Sequence, residues 1–288
     1  MLGFTVDVEF IWGFQARAIG LSKTSPSFYY PPPTTFLGSL AGVIAKENNI
    51  GENLGRFIIN ELSKNLLAIG FRPINCIPIK YEDLNRIITV KRTSGILYPD
   101  PKNLGKSFDS PARGKTILSS LNGEAPKVRW FLVFRNEEIR VKSDELRFKI
   151  EKIILNKDYF WKILRLGSKE SVVCVTDVQE FKDRDIQVLT ERYVITSYAF
   201  PTNSARDSEE KMRKWECEVY INPFIENIYN RESGVLDKYY KNDPNNLIVF
   251  RIPMMISFRN VPEYIIRLNN DWKAYHLISH KSEVVVGR

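Results

Sequence analysis

Residues 27–48, SFYYPPPTTFLGSLAGVIAKEN, carry the strongest structural signal in this chain of 288 residues. Successive prolines favour a stiff, extended backbone, and a hydroxyl on Thr34 or Thr35 can cap a helix that follows. Residues 35–48 then place apolar side chains at helical spacing, which predicts an amphipathic helix. Small residues leave one side of this helix thin: Gly38, Ser39 and Gly42.

The start of this helix supports two interpretations. Free backbone N–H groups and hydroxyls at a helix N-terminus can bind an anion, and Tyr29 or Tyr30 can stack on a base. The same residues also fit a capped helix whose aromatic rings belong to the core. A nucleotide P-loop is excluded, because no Gly-Lys-Ser/Thr follows a glycine-rich loop here.

The flanking sequence predicts an α+β domain. Residues 3–12 alternate apolar and polar side chains, which is typical of a half-buried strand. Further strands are predicted at residues 68–80, 128–134 and 171–178, and further helices at 53–65 and 143–166, the last ended by Gly167. The predicted order is strand, helix, strand, a long basic insertion, strand, helix and strand. This is the split βαβ order of a ferredoxin-like fold.

The chain is predicted to divide into two regions. Residues 1–185 would form the ferredoxin-like domain, with an insertion at about 86–126. Residues 186–288 contain short β-rich runs at 188–199, 215–222, 247–258 and 272–278. We therefore expect a second, smaller and mostly β region.

The positive charge is concentrated in the first of these regions. The net charge is +8, from 42 basic and 34 acidic residues. Residues 1–185 hold 28 basic and 21 acidic residues, whereas residues 186–288 hold 14 and 13. Residues 89–115 alone have six basic residues against two acidic ones. The basic residues of this segment are Lys91, Arg92, Lys102, Lys106, Arg113 and Lys115.

Most of this basic segment is predicted to be a long loop. Residues 86–98 favour a strand, but residues 99–115 combine Pro, Gly, Ser, Asp and Lys without a helical or alternating period. Long loops in compact domains are usually functional or disordered, and a basic one suits contact with a phosphate backbone. A solvated loop without function is the alternative.

Two shorter segments are also candidates for anion binding. Arg17 follows the first strand and Lys23 comes shortly after it, so both can reach phosphate, although Arg17 is equally compatible with a packed surface cation. Residues 165–170, RLGSKE, fit a tight turn that holds an anion, with Lys169 beside it. We favour the simpler interpretation, in which Gly167 ends the preceding helix.

Catalytic and metal-binding signals are sparse, so we predict no metal site and no cofactor. Three widely separated cysteines fit neither a disulfide framework nor a C-x-x-C metal site, and His276 and His280 lack further metal ligands at suitable spacing. Asp7 and Glu9 are better explained as an exposed strand face than as a Mg²⁺ site. A metal-independent ribonuclease using His or Tyr with Lys remains possible.

The sequence also predicts a cytoplasmic protein that is not inserted in a membrane. The longest nearly apolar run, residues 36–45, is much shorter than the roughly 20 residues of a membrane span. The first ten residues contain Asp7 and Glu9, whereas a signal peptide would be basic and then apolar.

Three segments together resemble a known protein family. They are WGF with AR at residues 12–17, YPPPTTFLGSLAG at 30–42 and RLGSKES at 165–171. In combination and in this order they are similar to the Cas-five family of CRISPR effector (Cascade) complexes, most like the archaeal type I-A branch. The matches span residues 1–178, and residues 186–288 show no recognisable motif of the family.

The resemblance implies an RRM-like, ferredoxin-like fold with a protruding thumb, for which the basic insertion is in the right place. It implies a non-catalytic subunit that binds the repeat-derived 5′ handle of CRISPR RNA (crRNA) and caps the backbone filament. The expected partners are crRNA, a Cas-seven-type backbone subunit and the large subunit, and target DNA is a further candidate. Target selection would then rest mainly on guide pairing.

The resemblance also implies roles for particular residues. Thr34 and Thr35 would hold handle phosphates, and Tyr30 or Phe28 would support a base. The cations expected to contact RNA are Arg17, Lys23, Lys91, Arg92, Arg113, Lys115 and Lys169. One branch of the family cleaves precursor RNA, so an endoribonuclease that uses His276 or His280 is the alternative.

Overall fold

The computed structural model describes residues 1–16, 27–84, 91–93, 96–98, 112–141, 151–190, 193–210, 215–231, 235, 238, 245–255, 262–280 and 282–288. The helices are α1 (Pro33–Glu47), α2 (Glu52–Gly55), α3 (Ile58–Asn65) and α4 (Lys157–Trp161). No helix in these ranges is long and apolar enough to cross a membrane.

The β structure is distributed over the whole chain. The strands are β1 (Leu2–Phe10), β2 (Gly13–Phe14), β3 (Leu66–Pro73), β4 (Cys76–Leu84), β5 (Lys91–Thr93), β6 (Ile96–Tyr98), β7 (Ala112–Ser120), β8 (Lys127–Phe134), β9 (Glu138–Val141), β10 (Glu151–Ile154), β11 (Val173–Lys182), β12 (Ile186–Leu189), β13 (Tyr193–Thr196), β14 (Phe200–Pro201), β15 (Ala205–Glu210), β16 (Trp215–Ile221), β17 (Leu247–Pro253), β18 (Tyr264–Leu268), β19 (Lys273–Leu277) and β20 (Val284–Gly287). The architecture is therefore mixed, with a few helices against a predominantly β framework, as the predicted α+β class requires.

A seven-stranded antiparallel sheet with the order β11-β1-β8-β3-β20-β19-β12 organises the molecule. β1 pairs along its length with β8 on one side and β11 on the other. α1 packs on one face of the sheet, where the Phe36 ring stacks on Trp130 with centroids 4.6 Å apart. α4 adds Phe160, whose ring lies 4.4 Å from that of Phe4. Near the beginning of α1, this face of the sheet is therefore covered by α1 and α4.

Strands from both predicted regions belong to this sheet. β12, β19 and β20 come from residues beyond 185, and Gly287 of β20 pairs with Ala68 of β3. The second face of the sheet is buried under a cluster that also combines both regions, including Phe131, Tyr198 and Tyr275. The division at residue 185 stays a prediction, but the two regions share one sheet and one hydrophobic interior.

The prediction of one helix over residues 143–166 is wrong for residues 151–156 and 162–166, whereas Lys157–Trp161 are helical as the short α4. Residues 142–150 lie outside the described part, and β10 precedes α4. Ile153 is buried while Ile154 is exposed, so this run alternates as a strand does, and it pairs with β9. The Asn156 side chain accepts a hydrogen bond from the Asp158 N–H, which starts α4 only after the strand has ended.

The basic insertion is built on a β-ribbon. β4 and β7 pair over nine residues, from Cys76 opposite Ser120 to Leu84 opposite Ala112. Residues 112–115 are therefore strand, and their prediction as loop is wrong, because cross-strand pairing supplies a partner that local composition does not reveal. The predicted strand at 68–80 is likewise two strands, β3 and β4. β5 and β6 form a hairpin within the insertion, and residues 99–111 lie outside the described residues.

Candidate nucleic-acid interface

α1 begins with prolines rather than with a hydroxyl cap. Pro32 is the N-cap and Pro33 the first helical residue, and neither has an N–H group. The Thr35 and Phe36 amides both donate to the Pro32 carbonyl, at 2.8 and 3.2 Å. The prediction that Thr34 or Thr35 caps the helix is therefore wrong. Both threonines are half-buried in the first turn of α1.

The segment at residues 165–171 is a tight turn and not the end of a helix, so the C-cap interpretation of Gly167 is wrong. The Leu166 N–H donates to the Ser171 carbonyl at 3.1 Å, and Gly167 has φ +129°. A Cβ on Gly167 would lie 2.8 Å from both the Gln15 carbonyl oxygen and the Ser171 Oγ. Only glycine satisfies this conformation and this close approach.

The turn is fastened to the segment after β1 by its backbone. The Ser168 N–H donates to the Gln15 carbonyl at 2.9 Å, and the Gln15 N–H donates to Ser171 Oγ at 2.9 Å. The Trp12 indole also donates to the Glu170 carbonyl at 3.0 Å. Residues 12–15 and the turn are therefore held in one fixed arrangement.

The turn also contacts α1, which brings three distant segments together. Ser39 Oγ donates to the Arg165 carbonyl at 2.7 Å. A cleft of about 400 Å³, which we call the α1 cleft, opens between the segments. Its lining includes Gln15, Thr34, Thr35, Gly167 and Ser168, and the remaining lining residues are apolar. The three segments on which the sequence resemblance rests thus meet at the beginning of α1.

A second, more basic cleft of about 600 Å³ continues along the same side of α1. Its lining includes Thr35, Gly38, Gly42, Lys46, Lys162 and Arg165. A Cβ on Gly42 would meet no atom within 4 Å, so internal packing does not require this thin side of the helix. Lys162 pairs with Glu47, while Lys46 and Arg165 are exposed.

Phe28 and Tyr30, predicted to support a base, are core residues in this structure. Phe28 is 4% exposed and packs against Tyr220, with centroids 5.1 Å apart. Tyr30 is fully buried against Phe71, and burial raises the pKa of its phenol well above the ordinary value. Stacking of either ring on a base would require it to leave the interior, so this packing favours the core interpretation.

Tyr29 is instead held at the base of the β4–β7 ribbon. Its N–H donates to both carboxylate oxygens of Glu218 at 2.9 Å, and Lys80 Nζ lies 3.4 Å above its ring centroid. Lys80 also pairs with Glu218 at 2.5 Å, and the Tyr220 hydroxyl donates to the same carboxylate at 2.7 Å. Burial raises the pKa of Glu218, although these donors act against it. The proline segment, the ribbon and β16 are thereby joined.

The predicted cations differ in how far the structure describes them. Arg17 and Lys23 lie outside the described residues. The backbones of Lys91 and Arg92 lie in β5 and that of Arg113 in β7, and their side chains are not described. Their roles therefore stay predictions.

Two predicted cations have described side chains. Lys115 is half-buried on β7, and Lys169 is exposed in the turn, 4.0 Å from Glu170. Contact of either side chain with RNA also stays a prediction.

Several residues of the clefts were missed by the site prediction. Gln15 and Ser168 lie inside the recognised segments but carry no charge, so composition does not single them out. Lys46 follows Gly42 and Gly38 at intervals of four, and this spacing is the signal that places it on the thin side of the helix.

The acidic and histidine candidates are placed away from these clefts or are already paired. Asp7 accepts two hydrogen bonds from Arg129, and Glu9 pairs with Lys127 at 2.9 Å. His276 lies on β19, four strand positions from β1, or roughly 19 Å at the usual strand spacing. The described residues contain no group of three or more His, Cys, Asp or Glu side chains arranged to hold a metal ion.

Comparison with known proteins gives the family. A crystal structure of a CRISPR protein from Archaeoglobus fulgidus is 42% identical and covers 100% of both chains, with a TM-score of 0.68. The CRISPR-associated protein Cas5 2 of Saccharolobus solfataricus is 25% identical over 206 residues, 69% of this chain and 68% of that protein. The chain belongs to the CRISPR-associated Cas5 family.

Membership of the Cas5 family confirms the resemblance seen in the three sequence segments. No family model matches the chain. The Saccharolobus protein is similar over about two thirds of its length, whereas the Archaeoglobus structure is similar throughout, residues 186–288 included. The similarity to the Archaeoglobus CRISPR protein therefore includes the region in which no motif was recognised.

Proposed function

We propose that this Cas5 protein is a non-catalytic subunit of a Cascade complex that binds the 5′ handle of crRNA and caps the backbone filament. The observation that supports it best is the meeting of the three family segments at the α1 cleft. Gln15, Thr34 and Ser168 come from positions up to 153 residues apart, and hydrogen bonds hold the segments in place. Polar side chains that are held in fixed positions on rigid elements suit a binding site.

The charge distribution supports an anionic ligand. The second cleft adds Lys46, Lys162 and Arg165 beside the α1 cleft. The β4–β7 ribbon contacts the proline segment through Lys80 and Tyr29, and along the chain it flanks the basic segment that contains Lys91 and Arg92. A single RNA strand following these features would meet cations along its path, as polyphosphate recognition requires.

The strand order supports the ferredoxin-like interpretation of the N-terminal domain. β8 lies between β1 and β3, and β11 flanks β1 on the other side. α1 connects β1 to β3, and α4 lies between β8 and β11 in the chain. This is a split βαβ arrangement with the ribbon inserted between its second and third strands.

The proposal extends to the partners expected of such a subunit. Filament capping implies contact with a Cas-seven-type backbone subunit, and the large subunit and target DNA are further expected partners. Within this arrangement the protein recognises RNA through backbone shape and charge, and base pairing by the guide selects the DNA target.

Purification with its native partners, followed by sequencing of the bound RNA, tests the proposed function. We expect RNA molecules with a uniform, repeat-derived 5′ end. Bound RNA with random ends, or a complex that assembles unchanged after ribonuclease treatment during purification, would contradict handle binding. Cleavage of precursor RNA by the isolated protein without metal, abolished by His276→Ala or His280→Ala, would favour the endoribonuclease instead.

A further inference from the structure

Gln15 has a buried carboxamide group whose nitrogen is not hydrogen-bonded within the described part of the chain. The residue is only 6% exposed. Its backbone N–H and carbonyl both bond to the turn, and its Oε1 lies 3.4 Å from Ser168 Oγ. Nε2 has no hydrogen-bond partner among the residues that the structure describes. Buried polar groups are nearly always paired, so this donor points to a missing acceptor.

The surroundings of Gln15 define the chemistry of that acceptor. Gln15 lines the α1 cleft together with Thr34 and Thr35, which carry polar hydrogens, whereas the Ser168 hydroxyl in the same lining donates its hydrogen to Glu170 at 2.7 Å. The first turn of the 15-residue helix α1 adds the positive end of its dipole. Donors and a positive helix end converge on one small volume. They favour a ligand that is rich in acceptor oxygens and negatively charged.

The same surroundings favour the RNA backbone over a base. The aromatic residue in the lining, Phe28, is packed against Tyr220 and is 4% exposed, so it offers no free ring face for stacking. A phosphate group needs only donors and positive potential, and the cleft supplies both.

We propose that the Gln15 carboxamide donates a hydrogen bond to a phosphate oxygen of bound RNA at the start of α1, with the Thr34 and Thr35 hydroxyls completing the subsite. This inference rests on the proposed function, because it assumes that the bound polyanion is RNA. In this proposal the uncharged Gln15 side chain fixes the position of one phosphate, whereas the cations attract the RNA strand as a whole.

The proposal predicts opposite effects of one substitution on stability and on binding. Gln15→Leu keeps a similar volume but removes the unpaired buried donor, so the melting temperature of the free protein should stay unchanged or rise by roughly 2–4 °C. RNA affinity should nevertheless fall roughly 10- to 100-fold, the range for loss of a hydrogen bond to a charged group. A merely structural Gln15 would give lower stability and unchanged affinity.

The experiment compares wild type, Gln15→Leu and the matched control Gln187→Leu, which makes the same change at an exposed position of β12. The probe is a single-stranded RNA oligonucleotide that carries the last nucleotides of the CRISPR repeat. Each phosphate in turn is replaced by an uncharged methylphosphonate. We expect one linkage whose neutralisation weakens binding to the wild type but has little further effect on Gln15→Leu.

A second variant covers the case in which Gln15→Leu does not fold. In Gln15→Glu a carboxylate faces the phosphate, so affinity for the unmodified RNA should drop, and methylphosphonate at the sensitive linkage should restore part of it. Equal binding by wild type and Gln15→Leu, or the absence of any sensitive linkage, overturns the Gln15 proposal alone. Failure of the wild type to bind the repeat-derived RNA overturns the proposed function as well.

Discussion

Arg129 on β8 and Asp7 on β1 form a bidentate ion pair, with Nε 2.6 Å from Oδ1 and Nη2 2.7 Å from Oδ2. The two residues lie directly opposite each other in the register, and Arg72 of β3 is opposite Arg129 on its other side. Glu283, just before β20, accepts hydrogen bonds from Arg72 at 2.8 Å and from Arg129 at 3.0 Å. A row of charges thus crosses β1, β8 and β3 and ends at the residue before β20, which joins the C-terminal region to β1.

Glu283→Gln should lower the free energy of unfolding by about 3 kcal/mol. Removal of one partner from a buried charge network leaves uncompensated charge, which typically costs about 3–5 kcal/mol. We expect the lower end of that range, because Arg129 keeps its pair with Asp7. The Tyr198 hydroxyl also loses its carboxylate acceptor. Chemical denaturation of wild type and variant measures the difference.

Glu138→Gln is the matched control, because Glu138 pairs with Arg140 on the surface. An exposed pair of this kind contributes little to stability, because water and salt screen it. Equal effects of the two substitutions would show that the row of charges does not hold the C-terminal region to the sheet.

The Glu283 carboxylate should make the stability of the protein depend on pH in the acid range. Burial alone would raise the pKa of Glu283, but Arg72, Tyr198 and Arg129 lower it below its ordinary value of 4.5. Since the folded-state pKa lies below the unfolded-state pKa, the stabilisation is complete above the unfolded value and disappears as the pH falls through the folded one. Denaturation between pH 6 and 3 should therefore show a steeper loss for wild type than for Glu283→Gln. Parallel curves would contradict the lowered pKa.

The local signals in the sequence identified most of the central elements. Residues 35–48 were predicted as a helix and α1 spans Pro33–Glu47, while the alternation at residues 3–12 located β1. Residues 151–154 lack a helical pattern, and the β-branched Ile153 and Ile154 among them favour a strand. Pairing of these residues with β9 is a tertiary contact that local propensity does not encode.

The candidate site was predictable only in part, for a related reason. The recognised segments contain Gln15, Thr34 and Ser168, but nothing local indicates that they meet. Their meeting depends on the turn at Gly167, whose positive φ serves contact with Gln15 and not the end of a helix. Sequence gives the same glycine signal for both situations.

Gly167→Ala should destabilise the turn and weaken RNA binding together. Its φ of +129° disfavours any side chain, and the new Cβ would lie 2.8 Å from the Gln15 carbonyl oxygen. We expect a loss of about 1–3 kcal/mol in the free energy of unfolding and displacement of Gln15 from the α1 cleft. Thermal denaturation and RNA titration measure the two effects.

Gly123→Ala is the control for backbone strain alone. Gly123 has φ +80°, but a Cβ there would meet no atom within 4 Å. The Gly123→Ala substitution should lower the free energy of unfolding by about 1 kcal/mol and leave RNA affinity unchanged. If Gly167→Ala kept wild-type affinity, the turn would not position the site.

Lys91→Ala combined with Arg92→Ala should reduce both RNA affinity and its dependence on salt. Each phosphate contact releases counterions, so the slope of log K against log[salt] should decrease by roughly 2, about one unit for each lost contact. The matched control is Arg184→Ala with Lys273→Ala, which removes the same charge from exposed positions outside the proposed path. Because a general field effect of net charge would act in both double variants, only a difference between their slopes locates RNA at β5. Equal slopes would contradict a role of the insertion as an RNA contact, while leaving the α1 cleft to be judged by the Gln15 and Gly167 variants.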